Sequence, residues 1–238
     1  EQGYDPCSVV SAAVNIGGWT PRGARGGSMT LKQALTSSNN GVTANLLNAL
    51  HVPVFIDKLR MFGITGHVEN NVTISLGSYE VPVSEMVSAY SAFANKGIRV
   101  NPIYVSRIED NNGNVLYSAN AHRTEVTSAE ATYNMVMMMM SVVNNGTARS
   151  LRSTYGLTAE MGGKTGTTNF NSDAWYMGYT PQLVTGVWVG GEERYIHFNN
   201  GSIGQGARSA MPIFGLFMKK LYSDRSLPYS QDVKFEFP

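Results

Sequence analysis

Gly163-Lys164-Thr165-Gly166-Thr167-Thr168 is the stretch on which the reading of this 238-residue chain turns. It packs a lysine, the hydroxyls of Thr165 and Thr167 and two glycines into six residues, and strand-like sequence follows. A strand of this composition can bind a carboxylate. Lys164 offers positive charge, Thr165 and Thr167 offer O–H donors, and Gly166 lets a substrate backbone lie close against the strand edge. The Lys-Thr-Gly triplet is short and most such lysines are simply solvated, so the weight falls on what surrounds it.

After Leu157 three short runs, 164–168, 173–180 and 183–189, are rich in aromatic and β-branched residues with turn residues between them. They predict three neighbouring antiparallel strands. Ser209 and Pro212 then open an apolar helix over 213–221, with Lys219 and Lys220 in its last turn where cations complement the helix dipole. This helix is expected to cover one face of the sheet.

Upstream the pattern is mainly helical. Leu31, Ala34 and Leu35 recur at helical spacing after Thr30, and Val42, Leu46 and Leu50 repeat it beyond Gly41, so 37–41 reads as a helix-helix connection. Pro53 opens a short helix through Phe55, Leu59 and Phe62 that ends at Gly63. Ser84 is expected to cap a helix through Met86, Val87, Tyr90 and Phe93, stopped by Gly97. Strand-like runs flank Asp110-Asn111-Asn112-Gly113 and predict a hairpin insertion. Thr127 and Glu130 have capping-box spacing ahead of a helix ending near Gly146, whose Met137 to Met140 read as adaptable core packing. The order implies an α+β fold: a single domain, 1–238, with a helical lobe over about 28–150, a sheet lobe over about 157–238, and a cleft where they meet.

Composition narrows the function classes. With 42% apolar and 15% charged residues the chain can bury a substantial core. A net charge of +1 with scattered basic residues argues against nucleic-acid binding. The single cysteine, Cys7, cannot form an intramolecular disulfide and reads as a small packed side chain. His51, His67, His122 and His197 are far apart with no acidic partner at fixed spacing, so neither a metal nor another cofactor is expected. Trp175 and Trp188 read as core, and Glu192-Glu193-Arg194 as a solvated loop. No apolar run approaches the roughly 20 residues of a membrane span.

The polar turn between the first two helices offers two Ser-x-Asn registers, Ser37 with Asn39 and Ser38 with Asn40. By local chemistry the same residues could merely terminate a helix.

The run to Gly190 continues with Asp173-Ala174-Trp175, Gly178-Tyr179-Thr180-Pro181 and Val187-Trp188-Val189-Gly190. Together with Tyr4-Asp5-Pro6, Trp19-Thr20-Pro21, Leu76-Gly77-Ser78, Ser84-Glu85-Met86 and Asn145-Gly146-Thr147, it resembles the C-terminal part of a class A penicillin-binding protein transpeptidase domain over nearly the whole chain. That superfamily combines Ser-x-x-Lys, a Ser-x-Asn type element and Lys-Thr-Gly. The family pattern counted from Thr30-Leu31 and Ala34-Leu35 selects Ser38 and Asn40. The resemblance implies the penicillin-binding, serine β-lactamase-like fold. It implies an enzyme that cross-links peptidoglycan stem peptides ending in D-Ala-D-Ala and is acylated by β-lactams. By resemblance Ser38 relays a proton to the leaving group, Asn40 bonds the acyl chain, and Lys164 holds the Ser38 hydroxyl and attracts the terminal carboxylate. Thr165 and Thr167 bind that carboxylate beside Gly166, and the Thr167 N–H serves the oxyanion hole. It further implies a membrane anchor and a glycosyltransferase domain ahead of these residues, with this part on the outer face of the cytoplasmic membrane.

No serine in the chain is followed three positions later by lysine; the nearest spacing is four, as at Ser28 and Lys32. The nucleophile is therefore expected upstream of Glu1, making the chain an inactive fragment as it stands. Gly23 departs from the family's usual Asn, and Gly146-Thr147-Ala148 lacks a second glycine. A β-lactamase or penicillin sensor of the same superfamily is the nearest rival, and a non-catalytic domain of the same fold is the rival from another class.

Overall fold

The structure, a computed structural model, describes residues 2–236. Chain order runs through β1 (Val9–Ser11), β2 (Ser28–Thr30), α1 (Leu31–Ser37), α2 (Asn40–Leu50), α3 (Val52–Met61), α4 (Val83–Ala94), β3 (Ile98–Val100), β4 (Arg107–Glu109), β5 (Val115–Ser118), β6 (Arg123–Glu125), α5 (Ala129–Asn145), α6 (Ser150–Ser153), β7 (Gly162–Thr167), β8 (Asp173–Tyr179), β9 (Val184–Gly190), α7 (Gly201–Gly204) and α8 (Ala210–Ser223). β7, β8 and β9 form the expected antiparallel sheet in that spatial order, so β7 is an edge. β1–β2, β3–β6 and β4–β5 are separate two-stranded antiparallel pairs, the last being the expected hairpin.

Helices cover both faces of the three-stranded sheet. Tyr176 and Tyr179 lie three apart on β8 and therefore project to opposite sides. On one side Tyr176 meets Phe214 of α8, ring centroids 4.9 Å apart, within a core that includes Met211, Met218, Val142 and Leu151. Fully burying a side chain such as Phe214 stabilises the fold by roughly 2 to 3 kcal/mol. On the other side Tyr179 packs against Phe93 and Tyr90 of α4, at 6.1 and 6.2 Å, and against Val136 and Met139 of α5. Burial pushes the phenols of Tyr90, Tyr176 and Tyr179 up, so all three stay neutral.

Several local expectations shift. The N-cap of α4 is Pro82, which places Ser84 inside the helix. The N-cap of α5 is Ser128, whose side chain accepts from the Ala131 N–H, one residue beyond Thr127. Cys7 is exposed and free. Trp188 is 40% exposed and donates to Asp173 Oδ1 at 3.0 Å, so this tryptophan belongs to a polar outer face and not to the core. The connection after α1 is only Ser38 and Asn39, and Gly41 lies within α2, where a Cβ would collide with the Ala12 carbonyl oxygen.

Candidate active site

Ser38 owes its position to two helices that end on it. α1 starts at a capping box in which Thr30 Oγ1 accepts from the Gln33 N–H at 3.2 Å and Gln33 Oε1 accepts from the Thr30 N–H at 2.9 Å. It stops where Ser38 turns left-handed, at φ 56° and ψ 52°. Asn39 then caps α2: its Oδ1 accepts from the N–H groups of Gly41 and Val42, and its Nδ2 donates to the Arg25 carbonyl at 2.8 Å. Glycine or asparagine is the usual residue at such a left-handed stop, because a Cβ costs roughly 1 kcal/mol there. A serine held in that conformation by two capped helices is a backbone outlier of the kind that accumulates at functional sites.

The neighbouring residues separate into two groups. Ser37 Oγ donates back to the Gln33 carbonyl at 2.9 Å on the exposed side of α1, and Asn39 is consumed by capping. Asn40 Nδ2 donates to the Arg22 carbonyl at 2.6 Å, and its side chain lies against Gly23. The glycine at 23 thus gives room to Asn40. Of the two registers, the geometry puts Ser38 against Lys164: Lys164 Nζ donates to Ser38 Oγ at 2.8 Å and to the Thr165 carbonyl at 3.0 Å.

β7 is glycine-rich because aromatic side chains lie against it. A Cβ on Gly162 would stand 2.5 Å from Tyr179 Oη, and one on Gly163 would collide with Tyr176 Oη. At Gly166 the neighbour is Trp175, whose Cβ would be 3.1 Å from an added methyl. Side chains alternate along the strand, so Lys164 reaches Ser38 from one face while Thr165 and Thr167 share the other. Thr165 Oγ1 lies 3.1 Å from Thr147 Oγ1, and Thr167 Oγ1 accepts from the Gly206 N–H at 3.0 Å. Burial pushes the Lys164 ammonium down from 10.5 to about 8, because little water reaches its charge. A cation, a serine hydroxyl bonded to it and two threonine hydroxyls on a sheet edge are suited to an anionic, extended ligand and to a proton passed through Ser38. Among the described residues no group of His, Cys, Asp and Glu is arranged to hold a metal ion.

Residues 5–215 match the sequence profile of the penicillin binding protein transpeptidase domain. The chain belongs to this family. It is 30% identical over 247 residues to penicillin-binding protein 1A of Rickettsia bellii, a match covering 92% of this chain and 30% of the relative. The fold is that of penicillin-binding protein 1A from Haemophilus influenzae, with a TM-score of 0.83 at 24% identity over 94% of this chain and 40% of that one. It is also that of PonA1 from Mycobacterium tuberculosis, solved in complex with penicillin V, with a TM-score of 0.81 at 25% identity over 100% of this chain and 67% of that one. The α+β transpeptidase fold and the resemblance to class A penicillin-binding proteins therefore hold. The chain spans about 30% of the length of the curated relatives it matches.

No local pattern marks Ser141 or Gly206, and Thr147 stands out in the sequence only within Asn145-Gly146-Thr147. Ser141 Oγ lies 2.8 Å from Thr36 Oγ1 and joins α5 to α1 two residues before Ser38. Only the fold brings these contacts about, since the partners stand 18 to 105 positions apart.

Proposed function

We propose that these residues form the carboxylate-binding and proton-relay part of a serine D,D-transpeptidase that cross-links peptidoglycan stem peptides and is acylated at the same serine by β-lactams. The nucleophile belongs to a Ser-x-x-Lys segment outside this chain, and the protein works in the bacterial envelope at the outer face of the cytoplasmic membrane. Its anchor also lies outside these residues; among the described ones no helix is long and apolar enough to cross a membrane. The 2.8 Å hydrogen bond from Lys164 to Ser38 carries the proposal.

In the reaction as proposed, a stem peptide lies along the β7 edge with its terminal carboxylate on the hydroxyls of Thr165 and Thr167, in the field of Lys164. The serine passes its proton to the lysine of its Ser-x-x-Lys as its Oγ bonds to the carbonyl carbon of the penultimate D-alanine, the Thr167 N–H helping to hold the oxyanion. The C–N bond to the terminal D-alanine then breaks. Because Ser38 Oγ accepts from Lys164, its own proton is turned away from Lys164 and passes to the leaving nitrogen, while Ser38 takes in its place the proton that the nucleophile gave to the Ser-x-x-Lys lysine. Asn40 bonds the acyl chain, and an amine from a second stem peptide resolves the acyl-enzyme. No cofactor takes part.

The test uses the protein that carries Ser-x-x-Lys together with these residues. Lys164→Ala is expected to lower its acylation rate constant with benzylpenicillin about a hundredfold, since two hydrogen bonds from a charged donor are lost. The circular-dichroism spectrum should be unchanged. Acylation at the unmodified rate removes the proposal.

A further inference from the structure

Thr165 and Thr167 bracket Gly166 on the face of β7 assigned to the ligand carboxylate, and each hydroxyl already has one partner in the protein. For Thr167 the partner is the Gly206 N–H at 3.0 Å, which can only donate. Thr167 Oγ1 therefore accepts and keeps its proton for another acceptor. For Thr165 the partner is the Thr147 hydroxyl at 3.1 Å, where either oxygen could be the donor. If Thr165 donates, its only proton is spent and it has nothing to offer an anion. If Thr147 donates, Thr165 keeps its proton, and accepting one hydrogen bond strengthens the one it gives. A carboxylate only accepts, so a bound ligand favours the second arrangement, and the two threonines then behave alike.

Thr147 is held where it can do this. A Cβ on Gly146 would collide with the Thr36 carbonyl oxygen and stand 2.9 Å from Val142, so the end of α5 is pressed against α1. The N–H groups of Gly146 and Ala148 both donate to the Val142 carbonyl, at 3.0 and 3.2 Å, and Ala148 is fully buried. We infer that Thr147 is a positioning residue whose hydroxyl donates to Thr165 and aims the Thr165 proton at the anionic end of the substrate or β-lactam. The inference rests on the transpeptidase reading above.

The experiment compares acylation of the Ser-x-x-Lys-containing protein by benzylpenicillin and by its methyl ester, which lacks the anion. Thr147→Val removes the donor at nearly constant volume and is expected to reduce the preference for acid over ester about fivefold. The ester rate should move less than about twofold, and Thr147→Ser should retain the preference. Thr147→Ala, which removes the hydroxyl and adds no methyl to be accommodated, must show the same loss. Equal slowing of acid and ester in Thr147→Val and Thr147→Ala would mean a merely structural role and overturn the inference. Lys164→Ala separates the two levels. Unimpaired acylation in that variant defeats the transpeptidase reading itself. Slow acylation there, with a full acid preference in Thr147→Val, defeats only the role of Thr147.

Discussion

Replacing Lys164 by methionine is expected to make the chain more stable at neutral pH. Burial lowers the ammonium from 10.5 to about 8, so the fold holds the charged form less favourably than water does. At about 1.4 kcal/mol for each tenfold, that drop corresponds to about 3 kcal/mol. Methionine keeps the length of the stem and removes the charge, at the loss of the hydrogen bonds to Ser38 Oγ and the Thr165 carbonyl, about 1 kcal/mol or less each. A net gain of about 1 to 2 kcal/mol remains, or roughly 3 to 6 °C in Tm for a chain of this size. The pH dependence distinguishes this cause from general repacking. The folded value lies below the unfolded one, so between about pH 8 and 10.5 the unfolded chain binds the extra proton and the unmodified protein gains stability as pH rises. The burial cost is full below pH 8 and gone above 10.5, so the advantage of Lys164→Met should shrink through that window and reverse at its upper end. Thermal melts followed by circular dichroism at pH 7 and pH 10 measure both quantities. A lower Tm for Lys164→Met at pH 7, or the same difference at both pH values, would refute the reasoning. The expected outcome is a lysine retained for chemistry at the expense of stability.

Ser38→Ala in the Ser-x-x-Lys-containing protein should slow acyl transfer about a hundredfold, as loss of a proton relay does. Ser37→Ala should leave the rate within about twofold, because the Ser37 hydroxyl bonds back within α1, to the Gln33 and Ala34 carbonyls; the reverse order would move the motif to Ser37 and Asn39. The 238-residue chain itself, incubated with benzylpenicillin and weighed by intact-mass spectrometry, should gain no mass, since covalent capture needs a nucleophile with its base in reach. A stoichiometric adduct mapped to any of its serines would show the nucleophile to be among these residues.

What was legible in the chain is what short-range physics controls. Apolar periodicity located α1, α2 and α4, capping-box spacing located α5, an apolar run after Ser209 and Pro212 located α8, and the alternation of turn residues with aromatic and β-branched runs located β7, β8 and β9. Boundaries slipped where two adjacent residues could both cap. Thr127 and Ser128 are chemically equivalent caps, and only the extended backbone of Ser128, φ −68° and ψ 156°, decides between them. Gly41 reads as part of the helix-helix connection because glycine is common between helices, but its reason is the Ala12 carbonyl, which no local window contains. Trp188 read as core because its strand is apolar, while its indole N–H has found Asp173 on the outer face.

The site is less legible for the same reason, and its geometry explains how an inconspicuous turn comes to hold it. Lys164 and Ser38 are 126 residues apart, and no spacing rule connects them. Each lies where an element stops or is left unpaired: Ser38 at the left-handed end of α1, Thr147 just past the end of α5, Lys164, Thr165 and Thr167 on the free edge of β7. Interior positions of helices and sheets turn their polar backbone groups inward on themselves and their side chains onto the core, leaving little that can converge on a ligand. Ends and edges leave hydroxyls, N–H groups and an ammonium unspent. The stops that bring them together depend on close approaches, Gly146 against Thr36 and Gly206 against the Gly166 and Trp175 carbonyls, which exist only once the helices have packed on the sheet. The residues that would do the chemistry are thus oriented by the core and not by their own neighbours in sequence. A substitution such as Gly146→Ala would therefore reach Ser38 and Thr165 together, by pushing α5 away from α1.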